Sequence, residues 1–409
     1  MLNLDVPIVP RLHPASTLSV PETGEQYLVV QATRDQECNY FRISKHTYRL
    51  LELMNGTRDL TEIASEYNRR YSGTLDAPQV LQILEKSRLK DWGIVDIDGS
   101  AQPVNHPKAS YLWMRIKIFP ADWVNRAAGL ITWAFQPLFF WITLLLTNFT
   151  LLGIILLEDL NLQGIRSYFI ENSVLALYAW YTATVLFHEL GHAAATRRFG
   201  ARPGAIGFGF YLLSPVFYAD VSDAWRLDRG KRIIVNFAGM YMQWVICAGM
   251  MLIYLIVNDA FWFYGALFTF VVSLYNFNPF LKYDGYWVLS DALNVPNLRE
   301  RSNLVLKGIV RALWNGRIPA ISWKETLLLL YALCSWGMML LFLGFIVLIN
   351  PSEIVRFPAK LFAFFTEIIS AGHLPAIALL KAFMIDAIQP ISFYLILILS
   401  IKKRFYHGK

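Results

Sequence analysis

The chain has 409 residues, of which 56% are hydrophobic and only 16% charged, with a mean hydropathy of +0.40. That composition excludes an ordinary soluble protein of this length and points to a membrane. The net charge of +7 is what lysine and arginine gathered on the cytoplasmic side of a membrane protein produce, so nucleic acid is not expected as a partner.

The N-terminus, "MLNLDVPIVPRLHPAS", carries prolines and no long apolar core, so no cleaved signal peptide is expected. Residues 1–105 are of mixed polarity. The alternating runs "YLVVQ" and "NYFRI" read as strands. After them the order is helix, a turn at Asn55-Gly56, two more helices and a strand. Leu60, Ile63 and Tyr67 fall on one helical face, as do Val80, Ile83 and Leu84. The expectation is a small α+β, winged-helix-like cytoplasmic domain over 1–105 and an interfacial linker over 106–130. Cys38, Cys247 and Cys334 are too dispersed for a disulfide framework or a cysteine zinc site.

From residue 131 to 409 long apolar runs take over, and the fold expected there is a polytopic α-helical membrane domain. Six transmembrane helices are read, at Ile131–Leu157, Val174–Ala195, Ile233–Val257, Phe261–Asn278, Leu327–Ile349 and Met384–Ile401. Residues 354–383 contain two prolines, a glycine and charges, and read as interfacial or re-entrant, with a further helix pair as the alternative. From residue 106 onward, lysine and arginine number twenty-two on one side of these spans and four on the other. That asymmetry puts both termini in the cytoplasm, with the protein multi-pass in a membrane and in contact with its lipid.

One span ends in "FHELGHAAATRRFG". Polar groups within a spanning helix cost a few kcal/mol each unless they are partnered. His188 and His192 are four residues apart and so share a helical face, where one Zn2+ can take a nitrogen from each. In the spacing HExxH, Glu189 is the general base. The orientation puts all three in the cytoplasmic half of the span, next to the basic run that marks the interface. The alternative is a structural polar cluster.

Catalytic zinc takes three protein ligands. The remaining histidines lie in the soluble part, in 354–383 or in the tail. The stretch "SLYNFNPFLKYDGYW" breaks a helix at Asn276, Asn278 and Pro279 and places Asp284 and Gly285 on the same cytoplasmic side as the histidines. Asp284 is the candidate third ligand; the alternative is an ordinary Asp-Gly turn after a span.

HELGH in one span, with Asn276, Pro279, Asp284 and Gly285 after a later one, resembles the site-2 protease family of intramembrane zinc metalloproteases. The resemblance implies that Asp284 binds zinc and that Asn276 holds the substrate or its oxyanion. Asn278 has no counterpart in the family pattern; it, Gly285 and Gln243 are candidates for supporting the ligands or touching substrate. "VNFAGMYMQWVICAG" is similar to the family's Ala-Gly-Pro-x-x-Asn helix, with Met240 for the proline and Gln243 for the asparagine. That departure is expected to alter neighbouring helix contacts without touching the zinc chemistry. The motifs cover about a third of the chain, and "YADVSDAWRL" and "KYDGYWVLSDALNVPNLRERS" are similar to a bacterial branch of peptide zinc metalloproteases.

The N-terminal order, with "MNGTRDLTEIASEY" in its middle, resembles PqqD-like peptide-recognition domains, which take up the leader of a ribosomally made precursor peptide as an added strand. A helix-turn-helix DNA reader and a structural cap are the alternatives; the helices mix charge signs, which disfavours DNA. Together these readings imply an intramembrane zinc metalloendopeptidase that trims a precursor peptide, with a peptide exporter as a downstream partner. The alternatives are a non-catalytic membrane peptide receptor or exporter accessory and a di-iron membrane oxidase, and the latter needs more membrane histidines than are present.

Overall fold

The computed structural model describes residues 8–21, 27–32, 38–87, 89, 92–96, 112–157, 174–211, 214–349 and 351–371. Strands β1 (Arg11–Leu12), β2 (Ser16–Ser19), β3 (Tyr27–Ala32) and β4 (Cys38–Ile43) come first. β2, β3 and β4 form an antiparallel sheet with Val29 opposite Phe41 and Val30 opposite Tyr40. Three short helices follow: α1 (Lys45–Leu53), α2 (Leu60–Tyr71) and α3 (Ala77–Lys86).

Each of these helices starts where a side chain takes up an otherwise unpaired amide. Ser44 accepts from the Thr47 N–H, and Asp59 and Asp76 form reciprocal capping boxes with Glu62 and Gln79. Gly56, at φ +80°, supplies the left-handed residue that separates α1 from α2. The predicted faces close one core: Leu60, Ile63, Tyr67, Val80 and Leu84 are buried with Val29, Leu50 and Ile94, and Ile83 packs against them. Each fully buried aliphatic side chain is worth roughly 1.5–3 kcal/mol. A last strand, β5 (Val95–Asp96), pairs with β1, and Arg11 binds the buried Asp96 carboxylate through Nε and Nη2 at 3.0 and 2.9 Å.

Residues 112–131, within the stretch expected as an interfacial linker, form β6 (Leu112–Phe119) and the amphipathic α4 (Ala121–Ile131). The first apolar run is not one straight helix from Ile131. A 3-10 turn (Thr132–Phe135) ends α4 and precedes α5 (Pro137–Leu157), and Ala121–Phe135 is bent by 76° against Pro137–Thr150. Pro137 explains the break, since it has no N–H to give and restricts the residue before it to an extended conformation. Next come α6 (Val174–Arg198), β7 (Ile206–Tyr211), β8 (Ser214–Ala219), a 3-10 turn (Ser222–Arg226), α7 (Arg229–Val257), α8 (Ala260–Asn276) and α9 (Asp284–Ala292). β6, β7 and β8 make a second three-stranded sheet.

Among the described residues two helices, Arg229–Val257 and Trp323–Leu341, are long and apolar enough to cross a membrane, or three if the bent pair is one span. α8, at 17 residues, is apolar but shorter. The span read at Met384–Ile401 lies outside the described residues, as does 372–383.

The chain divides into two compact units, one running to Asn294 and the other formed mainly by 295–409. The second contains α10 (Leu298–Trp314), α11 (Trp323–Ile349) and α12 (Pro351–Ala371), and there the Trp336 indole N–H donates to Asn303 at 3.0 Å. α12 covers the first half of the segment read as interfacial or re-entrant and carries Pro358 in its interior.

In the first unit α6, α7 and α8 pack together, and several of their polar side chains find partners within the packing. The Trp180 and Trp244 indoles donate to Thr269 and Ser273 at 3.2 and 2.7 Å, and the Tyr241 hydroxyl donates to the Ala134 carbonyl at 2.8 Å. An apolar surrounding leaves such donors no water to use. Gly191 lets α6 lie directly on α7: a Cβ there would come within 2.5 Å of Met242 and 2.7 Å of the Ala238 carbonyl.

Candidate metal centre

His188 and His192 project from one face of α6, both buried. Asp284, the first residue of α9, reaches the same point from another part of the chain. Its Oδ2 lies 2.7 Å from His188 Nε2 and 3.4 Å from His192 Nε2, and the two Nε2 atoms are 3.1 Å apart. One ligand atom from each of the three residues lies within 4.8 Å of the others.

The remaining ring nitrogens explain why these atoms converge. His192 Nδ1 lies 2.7 Å from the Val235 carbonyl oxygen, which can only accept, so Nδ1 carries the proton. His188 Nδ1 lies 3.1 Å from Gln243 Oε1, likewise an acceptor. In the neutral rings both Nε2 atoms therefore present lone pairs to each other and to a carboxylate oxygen. Three electron-rich atoms aimed at one point repel unless a cation lies among them. Two imidazoles and one carboxylate form a three-ligand set suited to catalytic zinc, with each histidine fixed by a partner on its other nitrogen.

The room for an ion is made by Gly239 on α7. A Cβ at that position would meet His188 Nε2 at 2.4 Å and His192 Nε2 at 2.5 Å. Any side chain would occupy the space that the ligands surround, so the residues present fit a metal ion.

Glu189 follows His188 on α6 and is buried, and the backbone N–H of Ala219 at the end of β8 faces its carboxylate. Gly285 is a requirement of backbone approach: a Cβ there would meet the Phe277 carbonyl oxygen at 2.0 Å. The start of α9 is pressed against the end of α8, which brings Asp284 to the histidines. Asn278 accepts from the Phe280 N–H at 2.8 Å and so folds the turn between these helices. Asn276 is the last residue of α8 and half-buried, and its amide has no hydrogen-bond partner among the described residues.

The exchange at Gln243 was expected to leave the zinc chemistry untouched, and the structure corrects this. The longer glutamine side chain reaches His188 and fixes its ring, so the departure from the family pattern touches a candidate ligand directly.

The sequence also gave no notice of an ion pair that holds α9 in place. Arg232 donates from Nε and Nη2 to Asp291 Oδ1 at 2.9 and 2.8 Å, Asn236 donates to Asp291 Oδ2 at 2.8 Å, and Arg232 Nη1 donates to the Leu227 carbonyl. The available signal was Arg232 itself, a charge at the entrance to an apolar helix that required a partner.

Comparison with known proteins finds no matching family model and no matching solved structure. The chain is similar to a protein of Bacillus subtilis (strain 168) named "Putative peptide zinc metalloprotease protein YydH", with 29% identity over 162 residues. The aligned stretch is 38% of this chain and 62% of that protein, so it spans less than two thirds of the relative's length. The likeness and the His-His-Asp cluster support a zinc metalloprotease family for this chain.

Proposed function

We propose that this protein is an intramembrane zinc metalloendopeptidase of the site-2 protease type. Its substrate is a ribosomally made precursor peptide, recruited through its leader by the N-terminal domain. In this reading the chain is multi-pass in the bacterial cytoplasmic membrane, its site opens to the cytoplasm, and the trimmed peptide passes to an exporter. The observation that carries the reading is the convergence of His188, His192 and Asp284 around the gap left by Gly239.

His188 and His192 would hold the metal through Nε2 and Asp284 through its carboxylate, while Val235 and Gln243 keep the two rings in the required tautomer. Zinc, when bound, polarises the scissile carbonyl and makes water a competent nucleophile at neutral pH. Glu189, steadied by Ala219, accepts the proton of the attacking water on its carboxylate and returns it to the leaving amine. Asn276, whose amide has no other partner among the described residues, donates to the oxyanion. An extended leader added to the edge of the N-terminal sheet gives affinity through its backbone and selectivity through side-chain pockets.

The test is Glu189→Ala, assayed on precursor peptides encoded beside the gene. The variant keeps one equivalent of zinc and loses cleavage by about 10²-fold or more. Processing at the wild-type rate would refute the protease, and a wild-type protein that holds zinc and peptide but cuts nothing is the non-catalytic receptor.

A further inference from the structure

The N-terminal sheet has two faces. Phe41 and Ile43 of β4 pack into the domain's own core, so Tyr40 and Arg42, alternating with them, lie on the other face. That face meets two segments of the helical part of the same unit. The Tyr40 hydroxyl donates to Asp223 Oδ1 at 2.8 Å, and the Arg42 guanidinium lies 3.4 and 3.5 Å from Asn294 Oδ1.

Both segments lead to the metal centre. Asp223 lies in the 3-10 turn that follows β8, four residues after Ala219, whose N–H faces the Glu189 carboxylate. Its other oxygen accepts from the Arg202 N–H at 2.8 Å, and Asp220 pairs through its backbone with Gly204 and Ala205. This turn is therefore a small rigid network with Tyr40 as one of its supports. Asn294 ends the segment that begins with Asp284 and is fixed by Asp291.

We propose that Tyr40 is a positioning residue. Acting through Asp223, it keeps the Ala219 amide on Glu189, so the outer face of β4 couples the N-terminal domain to the metal centre. The proposal rests on the metalloprotease reading for its consequence but not for its contact. β4 is also the terminal strand of its sheet, so a peptide paired along it engages the strand that already supports the site.

The experiment uses the full-length, zinc-loaded protein in detergent micelles. Tyr40→Phe removes one hydroxyl. Hydrogen exchange in peptides covering 214–223 should rise about tenfold, the loss of one hydrogen bond to a charged group, while exchange in α1 to α3 stays unchanged. Hydrolysis of fluorescein-labelled β-casein should lose kcat with KM and zinc content unaltered. Adding Tyr40→Phe to Asp223→Ala should change nothing further, and Tyr71→Phe, whose hydroxyl donates to Glu52 within the domain, should behave as wild type. Unaltered exchange over 214–223 in Tyr40→Phe, or effects of Tyr40→Phe and Asp223→Ala that simply add, would overturn the coupling. The exchange measurement decides this even if wild-type protein leaves casein intact, an outcome that would count against the protease alone.

Discussion

Replacing Gly239 by alanine adds one carbon at the point where the ligands converge. That carbon would stand 2.4 Å from His188 Nε2 and 2.5 Å from His192 Nε2, against about 3.5 Å or more for an unstrained contact. One side must yield by about 1 Å. The rings are held on their far nitrogens by Val235 and Gln243, so little of the displacement can be absorbed without breaking one of those bonds. Overpacking of this kind costs about 1–3 kcal/mol, which translates into a loss of zinc affinity of about fivefold to more than a hundredfold. Zinc retention, measured by elemental analysis after titration with a competing chelator, reads the effect directly. Gly249 on the same helix has nothing within 4 Å of the added carbon, so Gly249→Ala serves as the control, with unchanged affinity and a small gain in helix stability. If Gly239→Ala held zinc as tightly as Gly249→Ala, the cluster would not be the metal centre.

Three further outcomes are expected. Gln243→Ala frees the His188 ring and lowers zinc affinity about 10- to 100-fold by the same chelator titration, with the fold retained. Asp291→Ala leaves the buried Arg232 uncompensated and costs about 3–5 kcal/mol in a denaturant titration, whereas Arg232→Met combined with Asp291→Leu recovers part of that loss. Burial, and then the hydrogen bond to the Asp223 carboxylate, holds the Tyr40 phenol well above its ordinary value of 10.0. The folded state thus keeps a proton that the unfolded chain gives up near pH 10, so this contribution is complete below that pH and is lost as pH rises beyond it. Melting curves from pH 8 to 11 should fall less steeply for Tyr40→Phe than for wild type.

Features written in local chemistry could be read directly from the chain. The N-terminal strands and helices followed from alternation, shared helical faces and the Asn55-Gly56 turn, because each is decided within a few residues. The HExxH pair was legible for the same reason: its spacing is a helical period. What could not be read depends on tertiary approach. The Ala219 amide that faces Glu189 is a backbone group with no sequence signature, and the Arg232–Asp291 pair joins residues far apart in the chain. Gln243 looked like a neutral exchange because its reach to His188 depends on how closely Gly191 lets two helices pack. The bend at Gln136 also escaped hydropathy, which reads through a proline without registering the turn of the backbone.

The metal centre draws its ligands from the beginning and the end of a long stretch of chain, with α7 and α8 between them. Synthesis runs in that order, so His188, Glu189 and His192 leave the ribosome well before Asp284 exists. Throughout that interval the chain carries the candidate base and two candidate ligands but no complete coordination set. If the proposed activity holds, hydrolytic competence arrives late, after the intervening helices have been made and α9 has come against α8. On the proposed reading, a peptidase built this way cannot cleave its own nascent helices or their neighbours during insertion.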